Sequence, residues 1–297
     1  MTVLDARWDE KMKSPFEIGA IRPPSEAASL LVRVTRNCPW NRCAFCPVYH
    51  NAKFSIRGVD DVKQDIREMA AIARMIQDVS VSLGFEGEVT WEVRKALAAR
   101  KDLVPGTAQV TSFLAQGAKH AFLQDANSIV MPTEDLLEVL AFLRETFPTI
   151  ERITSYARAH SIVRKKSEDL KAICEAGLNR VHVGLESGSD RVLTLVRKGV
   201  SAEQHIEAGL RAKQAGMDWD ILDTPVRFVT SKTNKQFGEI LSFDDNKVLY
   251  RSDTHAPLSV VSNRYQVVQP REILEFYRDL TEVSGFELET AGVLKGG

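Results

Sequence analysis

The sequence predicts an α/β protein, with a partial barrel of about four βα units followed by a small α+β segment. Strand-like and helical segments alternate through residues 28–217, which is typical of a parallel sheet with crossover helices. The alternation stops after Gly216, and short strand-like segments follow. The length of 297 residues suits one large domain or two smaller ones. We therefore expect an N-terminal extension over 1–27, a barrel region over 28–217 and an incomplete α+β segment over 218–297.

In the barrel region, each predicted strand is a short apolar run, and the predicted helices have apolar residues at helical spacing. The predicted strands cover 28–35, 118–125, 151–157 and 180–187, and the predicted helices cover 59–79, 86–102, 133–147, 166–178 and 201–217. Residues suited to helix ends lie at the expected places, with Thr133, Ser167 and Ser201 at starts and Gly177 and Gly216 at ends.

After Gly216 the pattern changes to four short strand-like segments separated by turn residues, which indicates antiparallel pairing. These segments are TPVRFVT, NKVLYRSD, PLSVVS and NRYQVVQ. One helix is predicted over 270–285, with Pro270 suited to its first turn. We place the domain boundary near 216–224.

The composition is that of an ordinary globular protein, with 44% hydrophobic residues, 27% charged residues and a formal net charge of −1. This charge gives no indication of a nucleic-acid partner, although it does not exclude a local basic patch. The sequence has no apolar run of membrane-spanning length, no signal peptide and no cysteine pattern of a secreted disulfide framework. We expect a cytoplasmic protein with no membrane partner.

Three of the four cysteines lie in the stretch TRNCPWNRCAFCPVYH, separated by four residues and then by two. Cys38, Cys43 and Cys46 could pack as small apolar side chains, but their neighbours in the loop are polar. A zinc site needs four ligands; His50 could be the fourth, but no second pair of ligands follows. The loop favours a [4Fe–4S] cluster held by three thiolates, in which one iron stays open to a small molecule.

The cysteine loop and the segments after it resemble the radical S-adenosylmethionine (SAM) enzymes. FLQDANSIVM (122–131), ITSYARAHSI (153–162) and LKAICEAGLNRVHVGLESGSDRVLTLVRKG (170–199) are similar to successive strand ends and helices of that family. They most resemble the branch of the oxygen-independent coproporphyrinogen oxidases and Elongator-type proteins. The resemblance covers about 28–217, although the family usually spaces its cysteines by three residues and then two.

The resemblance implies roles for a small set of residues. Cys38, Cys43 and Cys46 would ligate the [4Fe–4S] cluster, and its open iron would bind the amino and carboxylate groups of SAM. The backbone at Phe45 would help to hold the adenine, and Glu186 would contact the ribose or the amino end. Looser candidates for SAM contacts, at the ends of the second and third strands, are Gln124, Asp125, Ser155, Tyr156 and Arg158.

Structural interpretations compete with these roles. Glu186 could cap a turn, and Asp125 could form an Asx turn. Tyr156 and Arg158 could pack as a pair. Outside this set, Lys198 could be a solvated helix-end cation, Cys174 and His182 are expected to be packed side chains, and His120 and His160 have no assignment.

The second region carries a separate resemblance. Residues 215–297, and VVSNRYQVVQP (260–270) in particular, resemble the opening of an uncharacterised phage- or plasmid-type domain called DUF932. That domain usually continues well past this point, so the resemblance covers only its first portion.

The radical SAM resemblance implies a reaction in which a reduced cluster cleaves SAM to methionine and a 5′-deoxyadenosyl radical that acts on an unknown substrate. It also implies a flavodoxin- or ferredoxin-like electron donor. Because the family core usually has six βα units and four are predicted here, two alternatives stay open. The chain could be an iron–sulfur and SAM-binding protein without catalysis, or a phage- or plasmid-type accessory protein whose function lies in its C-terminal segment.

Overall fold

The computed structural model describes residues 15–50, 52–217, 220–230, 239–252, 255 and 257–267. The chain divides into two compact units. The first unit is built from residues up to 184 together with 194–217, and the second from residues 185–193 together with those after 217.

The first unit contains a four-stranded parallel sheet. The first unit has six strands among the described residues, which in chain order are β1 (Leu30–Arg33), β2 (Thr35–Arg36), β3 (Ser55–Ile56), β4 (His120–Gln124), β5 (Arg152–Ala157) and β6 (Arg180–Val183). β1, β4, β5 and β6 pair in that order, all parallel, and β2 pairs with β3 as a short antiparallel ribbon. Helices lie in the crossovers between the parallel strands, so the predicted α/β fold class is confirmed.

The predicted helices occur in the predicted order, and three further helices lie between them. In chain order the described helices are α1 (Val59–Ser82), α2 (Trp91–Ala98), α3 (Thr107–Ala115), α4 (Thr133–Thr146), α5 (Ala159–Arg164), α6 (Ser167–Glu175), α7 (Asp190–Leu195) and α8 (Ala202–Gln214). The three further helices are α3, α5 and α7. The crossover from β5 to β6 contains both α5 and α6, whereas the sequence predicts a single helix there. Short 3-10 turns cover Pro24–Glu26 and Ser128–Val130.

The helix ends agree with the sequence at some positions and differ by one residue at others. Ser201 caps α8, because its Oγ accepts a hydrogen bond from the N–H of Gln204 and its own N–H donates to the Gln204 side chain. Gly216 follows α8 with a φ of +89°, as predicted for a helix end. The predictions of Thr133 and Ser167 as caps are wrong, because each is already the first helical residue.

One face of the parallel sheet, called the helix face here, belongs to the main hydrophobic core. Successive strand residues point to opposite faces, and paired residues of parallel strands share a face. Fully buried α1 and α4 residues such as Ile66 and Leu140 belong to the same core. The strand residues of the helix face within that core are Leu30, Val32, Ala121, Leu123, Ile153 and Ala157.

The opposite face of the same sheet, called the inner face here, is largely polar. It carries Arg33 on β1, Phe122 and Gln124 on β4, Tyr156 on β5 and His182 on β6. The ring centroid of Tyr156 lies 5.1 Å from that of Phe122 and 6.0 Å from that of His182. Aromatic and polar side chains of three neighbouring strands therefore contact one another on this face.

Residues 15–29 pack against the first unit, although the sequence predicts most of them as an extension. Glu26 is fully buried, accepts a hydrogen bond of 2.5 Å from the Ser29 hydroxyl, and pairs with Arg152 at 3.2 Å. His182 Nε2 lies 3.9 Å from the same carboxylate. Burial alone would raise the pKa of Glu26, but His182, Arg152 and Ser29 lower it to about 2.

The second unit contains a small antiparallel sheet of β7 (Ile221–Val229), β8 (Ile240–Arg251) and β9 (Pro257–Ser262), in that order. The prediction of a further strand over 263–269 is wrong for its described part, because the Tyr265 N–H donates to the Ser262 carbonyl and closes a turn. The predicted helix over 270–285 lies outside the described residues. Among the described helices of the whole chain, none has the length and apolar character of a membrane span.

Candidate functional site

The cysteine loop, residues 37–50, connects β2 to β3 just after the carboxyl end of β1. Cys38, Cys43 and Cys46 are free thiols, and each is partly exposed. In βα folds, this end of the parallel strands is where functional sites are built. The loop is therefore in a suitable position for a site, and its conformation depends on contacts at its two sides.

The turn 196–199 holds one side of the cysteine loop. The N–H of Ala44 donates to the first carbonyl of this turn at 2.9 Å, and Trp40 Nε1 donates to the Arg197 carbonyl at 2.7 Å. Gly199 has a φ of +70°, and a Cβ at this position would lie 2.2 Å from the Trp40 ring. The Trp40 ring and the turn can therefore approach this closely only because residue 199 is glycine.

Asp125, immediately after β4, holds the other side of the loop. Its fully buried carboxylate accepts hydrogen bonds from Arg33 Nη2 at 2.8 Å, from the backbone N–H of Asn37 at 3.2 Å, and from the Tyr49 hydroxyl. Burial, followed by the bond to Asp125, raises the pKa of Tyr49, which keeps this hydroxyl protonated as a donor. Asn37 and Tyr49 flank the three cysteines, so Asp125 fixes both ends of the loop.

Two cationic side chains lie beside the thiols. The guanidinium of Arg158 lies 5.0 Å from the Trp40 ring centroid and donates to the Lys198 carbonyl at 2.9 Å. The Lys198 ammonium lies 5.6 Å from the Phe45 ring centroid. Burial raises the pKa of the Cys43 thiol, and the charges of Lys198 and Arg158 offset only part of this rise. The two cations therefore reduce the cost of forming the thiolate, which is the form that binds metals, without removing it.

The donor chemistry of the loop fits an iron–sulfur cluster. Among the described residues, no three His, Cys, Asp or Glu side chains lie close enough together to hold one metal ion. In a [4Fe–4S] cluster each thiolate binds a different iron, so three thiols on one loop need not converge on a single point. His50, which the sequence offers as a fourth zinc ligand, has its Nε2 3.0 Å from the Cys43 carbonyl oxygen. Three soft thiol donors without an oxygen ligand are typical of iron–sulfur binding.

Comparison of the sequence with protein-family models shows to which family the chain belongs. The model of the radical SAM superfamily matches residues 32–225, more than half of the chain. The chain belongs to the radical SAM superfamily. A second model, Domain of unknown function (DUF932), matches residues 257–297. Both resemblances seen in the sequence are confirmed at this level, whereas the narrower branch of coproporphyrinogen oxidases and Elongator-type proteins stays a prediction.

Solved structures of a larger radical SAM enzyme are similar to part of this chain. They show the cobalamin-dependent S-adenosylmethionine radical enzyme OxsB with aqua-cobalamin and S-adenosylmethionine bound, and with aqua-cobalamin bound. Both have 18% sequence identity and a TM-score of 0.39, and they cover 62% and 63% of this chain. The chain corresponds to only 22% of the OxsB chain. No curated protein matches the chain.

Two of the residues predicted to contact SAM in this radical SAM core, Gln124 and Asp125, have side chains that are already bound within the protein. The Gln124 side-chain oxygen accepts from the Gly19 N–H at 2.8 Å, and its nitrogen donates to the Ile21 carbonyl at 2.9 Å. Asp125 binds the cysteine loop, as described above. Their side chains therefore hold the N-terminal segment and the loop. Their backbone groups also have partners within the protein, because the Gln124 carbonyl accepts from the Val34 N–H at 2.6 Å and the Asp125 N–H donates to Thr35 Oγ1 at 3.2 Å.

The remaining predicted SAM contacts fall at different places. Phe45 and Arg158 lie beside the thiols, and Phe45 is half exposed. Tyr156 is on the inner face, whereas strand alternation places Ser155 on the helix face, where its hydroxyl donates to a backbone carbonyl. Glu186 follows β6 with a φ of +65° and belongs to the second unit, so its role toward SAM stays a prediction.

Sequence reasoning missed the residues that hold the cysteine loop. Trp40 and Gly199 contact each other although their residue numbers differ by 159, and Arg33 and Tyr49 both bind Asp125 from other elements. The sequence offered two indications of this contact, namely that Trp40 lies in a polar loop and that Gly199 follows a helix. Among the structural predictions, Cys174 packs against the core as expected.

Proposed function

We propose that this radical SAM protein binds a [4Fe–4S] cluster through Cys38, Cys43 and Cys46 and cleaves SAM reductively to act on a substrate that is still unknown. The cluster and SAM, when bound, supply the chemistry, in which one electron breaks a carbon–sulfur bond and yields methionine and a hydrogen-abstracting 5′-deoxyadenosyl radical. The electron comes from a flavodoxin- or ferredoxin-like donor. A reducing compartment, the cytoplasm, would keep the three thiols available.

The observation that carries this proposal is the attachment of the cysteine loop on both sides. Trp40 and Ala44 bind the turn 196–199 on one side, and Asn37 and Tyr49 bind Asp125 on the other. Such contacts restrict the loop before any cofactor arrives, and preorganised ligands lower the entropy lost on binding. A loop with no metal-binding role would gain little from this arrangement of three partly exposed thiols.

The charges near the loop support the same function. Arg158 and Lys198 counteract part of the rise that burial causes in the pKa of Cys43, and their positive charge would offset the negative charge that three thiolates bring to one place. We assign Arg158 a second role, binding the carboxylate of SAM, because a guanidinium suits a planar anion. Tyr156, Phe45 and Glu186 are the further proposed SAM contacts.

The N-terminal segment contributes by covering the inner face at the carboxyl end of β4. Gly19 and Ile21 bind Gln124, and Glu17 pairs with Arg36 at 2.5 Å. A carbon radical needs a site from which water is excluded. We propose that this segment, which the family resemblance does not cover, helps to keep water from the reacting groups.

A second candidate function is cluster and SAM binding without catalysis. It is favoured by one observation, since the parallel sheet ends at β6 in the described part of the chain. An open barrel would leave a radical less protected from water than a closed one. The two candidates differ in the product, because only the first yields 5′-deoxyadenosine.

The test is anaerobic reconstitution of the full chain with iron and sulfide, followed by reduction in the presence of SAM. We expect about four irons and four sulfides per chain, and release of 5′-deoxyadenosine. Replacing Cys43 by alanine should remove most of the iron, whereas Cys174→Ala, a cysteine outside the loop, should keep it. Folded wild-type protein without iron contradicts both candidates, and a loaded cluster without 5′-deoxyadenosine supports the second.

A further inference from the structure

A cavity of about 460 Å³ lies next to the cysteine loop, within the first unit. One wall is formed by Trp40 of the loop, and an apolar wall by Ile129 and Val130 after β4. The remaining side carries residues from the end of β5 through α5, and these are mostly basic. The volume is in the usual range for small-molecule sites and is much larger than a single inorganic anion needs.

Four polar side chains of this cavity are cationic or can become so, and Ser161 adds a neutral hydroxyl. Arg158, His160, Arg164 and Lys165 all line it, and no carboxylate does so among the described residues. The carboxylate of Asp169 interacts electrostatically with Lys165, but Asp169 does not line the cavity. Burial lowers the pKa of His160, and the charges of Arg158 and Arg164 lower it further, so these groups lie close to one another. An unbalanced positive charge of this kind is relieved by an anion.

The cations are held in place and still have donors to offer. Lys165 Nζ donates to the Met131 carbonyl at 2.8 Å, and Arg164 Nη1 lies 3.3 Å from His160 Nε2. A guanidinium has five N–H donors, so Arg164 keeps several beyond this bond. An ammonium has three, and Lys165, which also donates to Thr133 Oγ1 at 3.3 Å, keeps one. Positioned guanidinium groups bind phosphate and carboxylate oxygens in pairs.

We propose that this cavity binds a small organic oxyanion, either a phosphate monoester or a carboxylic acid, whose apolar part rests against Ile129 and Val130. The basic residues bind the oxygens of the ligand. Its apolar part lies against Ile129 and Val130 and fills the volume that an inorganic oxyanion alone would leave empty. The site shares Trp40 with the attachment of the cysteine loop and Arg158 with the proposed SAM contacts, but it uses none of the three thiols. The proposal therefore stands without a cluster and goes beyond the proposed radical SAM function.

The experiment is isothermal titration of the full chain with three probes, namely phenyl phosphate, benzoate and inorganic phosphate. We expect phenyl phosphate or benzoate to bind, and to bind about tenfold more tightly than inorganic phosphate because only they reach the apolar wall. Arg164→Gln should weaken this binding about tenfold or more, since it removes hydrogen bonds to a charged group. Lys166→Gln is the matched control, because Lys166 is exposed, adjacent in sequence and outside the cavity.

The arms of the experiment separate the outcomes. Binding of phenyl phosphate alone identifies organic phosphates, and binding of benzoate alone identifies carboxylates; either result supports the site. Equal binding by wild type and Arg164→Gln, no binding of either aromatic probe, or equal affinity for inorganic phosphate overturns the proposal. Cys43→Ala should bind the probe as wild type does, so failure of the cluster proposal leaves this result unaffected.

Discussion

The helix face and the inner face of the parallel sheet are made by the same four strands, yet different forces stabilise them. The helix face carries apolar residues such as Leu123 and Ile153, both fully buried. The inner face carries Arg152, Tyr156 and His182, whose polar atoms need partners. Burial of apolar area stabilises the first face, whereas paired charges and hydrogen bonds stabilise the second.

The helix face therefore contributes mainly to the stability of the first unit, whereas the inner face is also connected to the cysteine loop. Arg33, on the inner face, binds Asp125, which in turn binds both ends of the cysteine loop. The apolar side chains of the helix face that the structure describes have no polar group with which to bind the loop in this way. Changes of volume should therefore affect the free energy of unfolding, while changes of charge or local geometry should also affect the site.

The largest expected loss of stability comes from the helix face. Leu123 has no exposed surface, so Leu123→Ala should lower the free energy of unfolding by about 2–5 kcal/mol, through lost burial and the cavity that remains. Urea unfolding followed by circular dichroism measures this change. The iron content per folded chain should stay at the wild-type level.

A surface leucine of the same unit provides the control. Leu210 on α8 is 53% exposed, so Leu210→Ala should cost less than about 1 kcal/mol. Equal losses for the two leucines would show that burial on the helix face does not dominate stability.

The inner face should lose stability in acid because of Glu26. Its pKa in the folded protein is about 2, below the ordinary value of 4.5, so the unfolded chain takes up a proton first as pH falls. The contribution of Glu26 is complete above about pH 5 and is lost as pH falls from there toward about 2. It amounts to about 3 kcal/mol, and urea unfolding at a series of pH values measures it.

Glu26→Gln is the matched variant for this pH dependence. It keeps the size of the side chain and removes the titrating group, so its stability should be lower at neutral pH and should fall less steeply in acid. If wild type and variant show the same slope between about pH 3 and about pH 5, Glu26 does not carry the effect.

The sequence predicts the order of elements well because that order follows from local patterns. Apolar spacing marked α1 and α4, and Ser201 marked the start of α8. The short helix α5 was missed, since a segment of six residues between a strand and a longer helix gives too little periodicity.

The site was predictable only in part, for a different physical reason. Cys38, Cys43 and Cys46 are close in sequence, and their spacing is visible directly. Asp125 looked like a ligand contact at a strand end, whereas its carboxylate binds Arg33 and groups of the cysteine loop. Such pairings depend on tertiary contacts between distant segments, which no local pattern encodes.

The smallest expected change in stability concerns Gly199, where the loop meets the turn 196–199. Gly199→Ala adds a Cβ that would lie 2.2 Å from the Trp40 ring, at a residue with a φ of +70°. The positive φ alone costs about 1 kcal/mol, and the contact is relieved if the partly exposed Trp40 ring moves away. The loop would then hold its thiols less firmly, so the reconstituted variant should lose iron to a chelator several-fold faster than wild type, although its unfolding changes little.

Gly209→Ala makes the same substitution where neither constraint exists. Gly209 lies within α8, and an added Cβ there would meet nothing within 4 Å. Alanine favours the helix over glycine, so this variant should be more stable by about 0.5–1 kcal/mol and should keep its iron as wild type does. Equal rates of iron loss for the two glycine variants would mean that the contact between Trp40 and Gly199 does not hold the thiols. Packing would then set the stability of the helix face, whereas packing at this contact would not control how the cysteine loop retains iron.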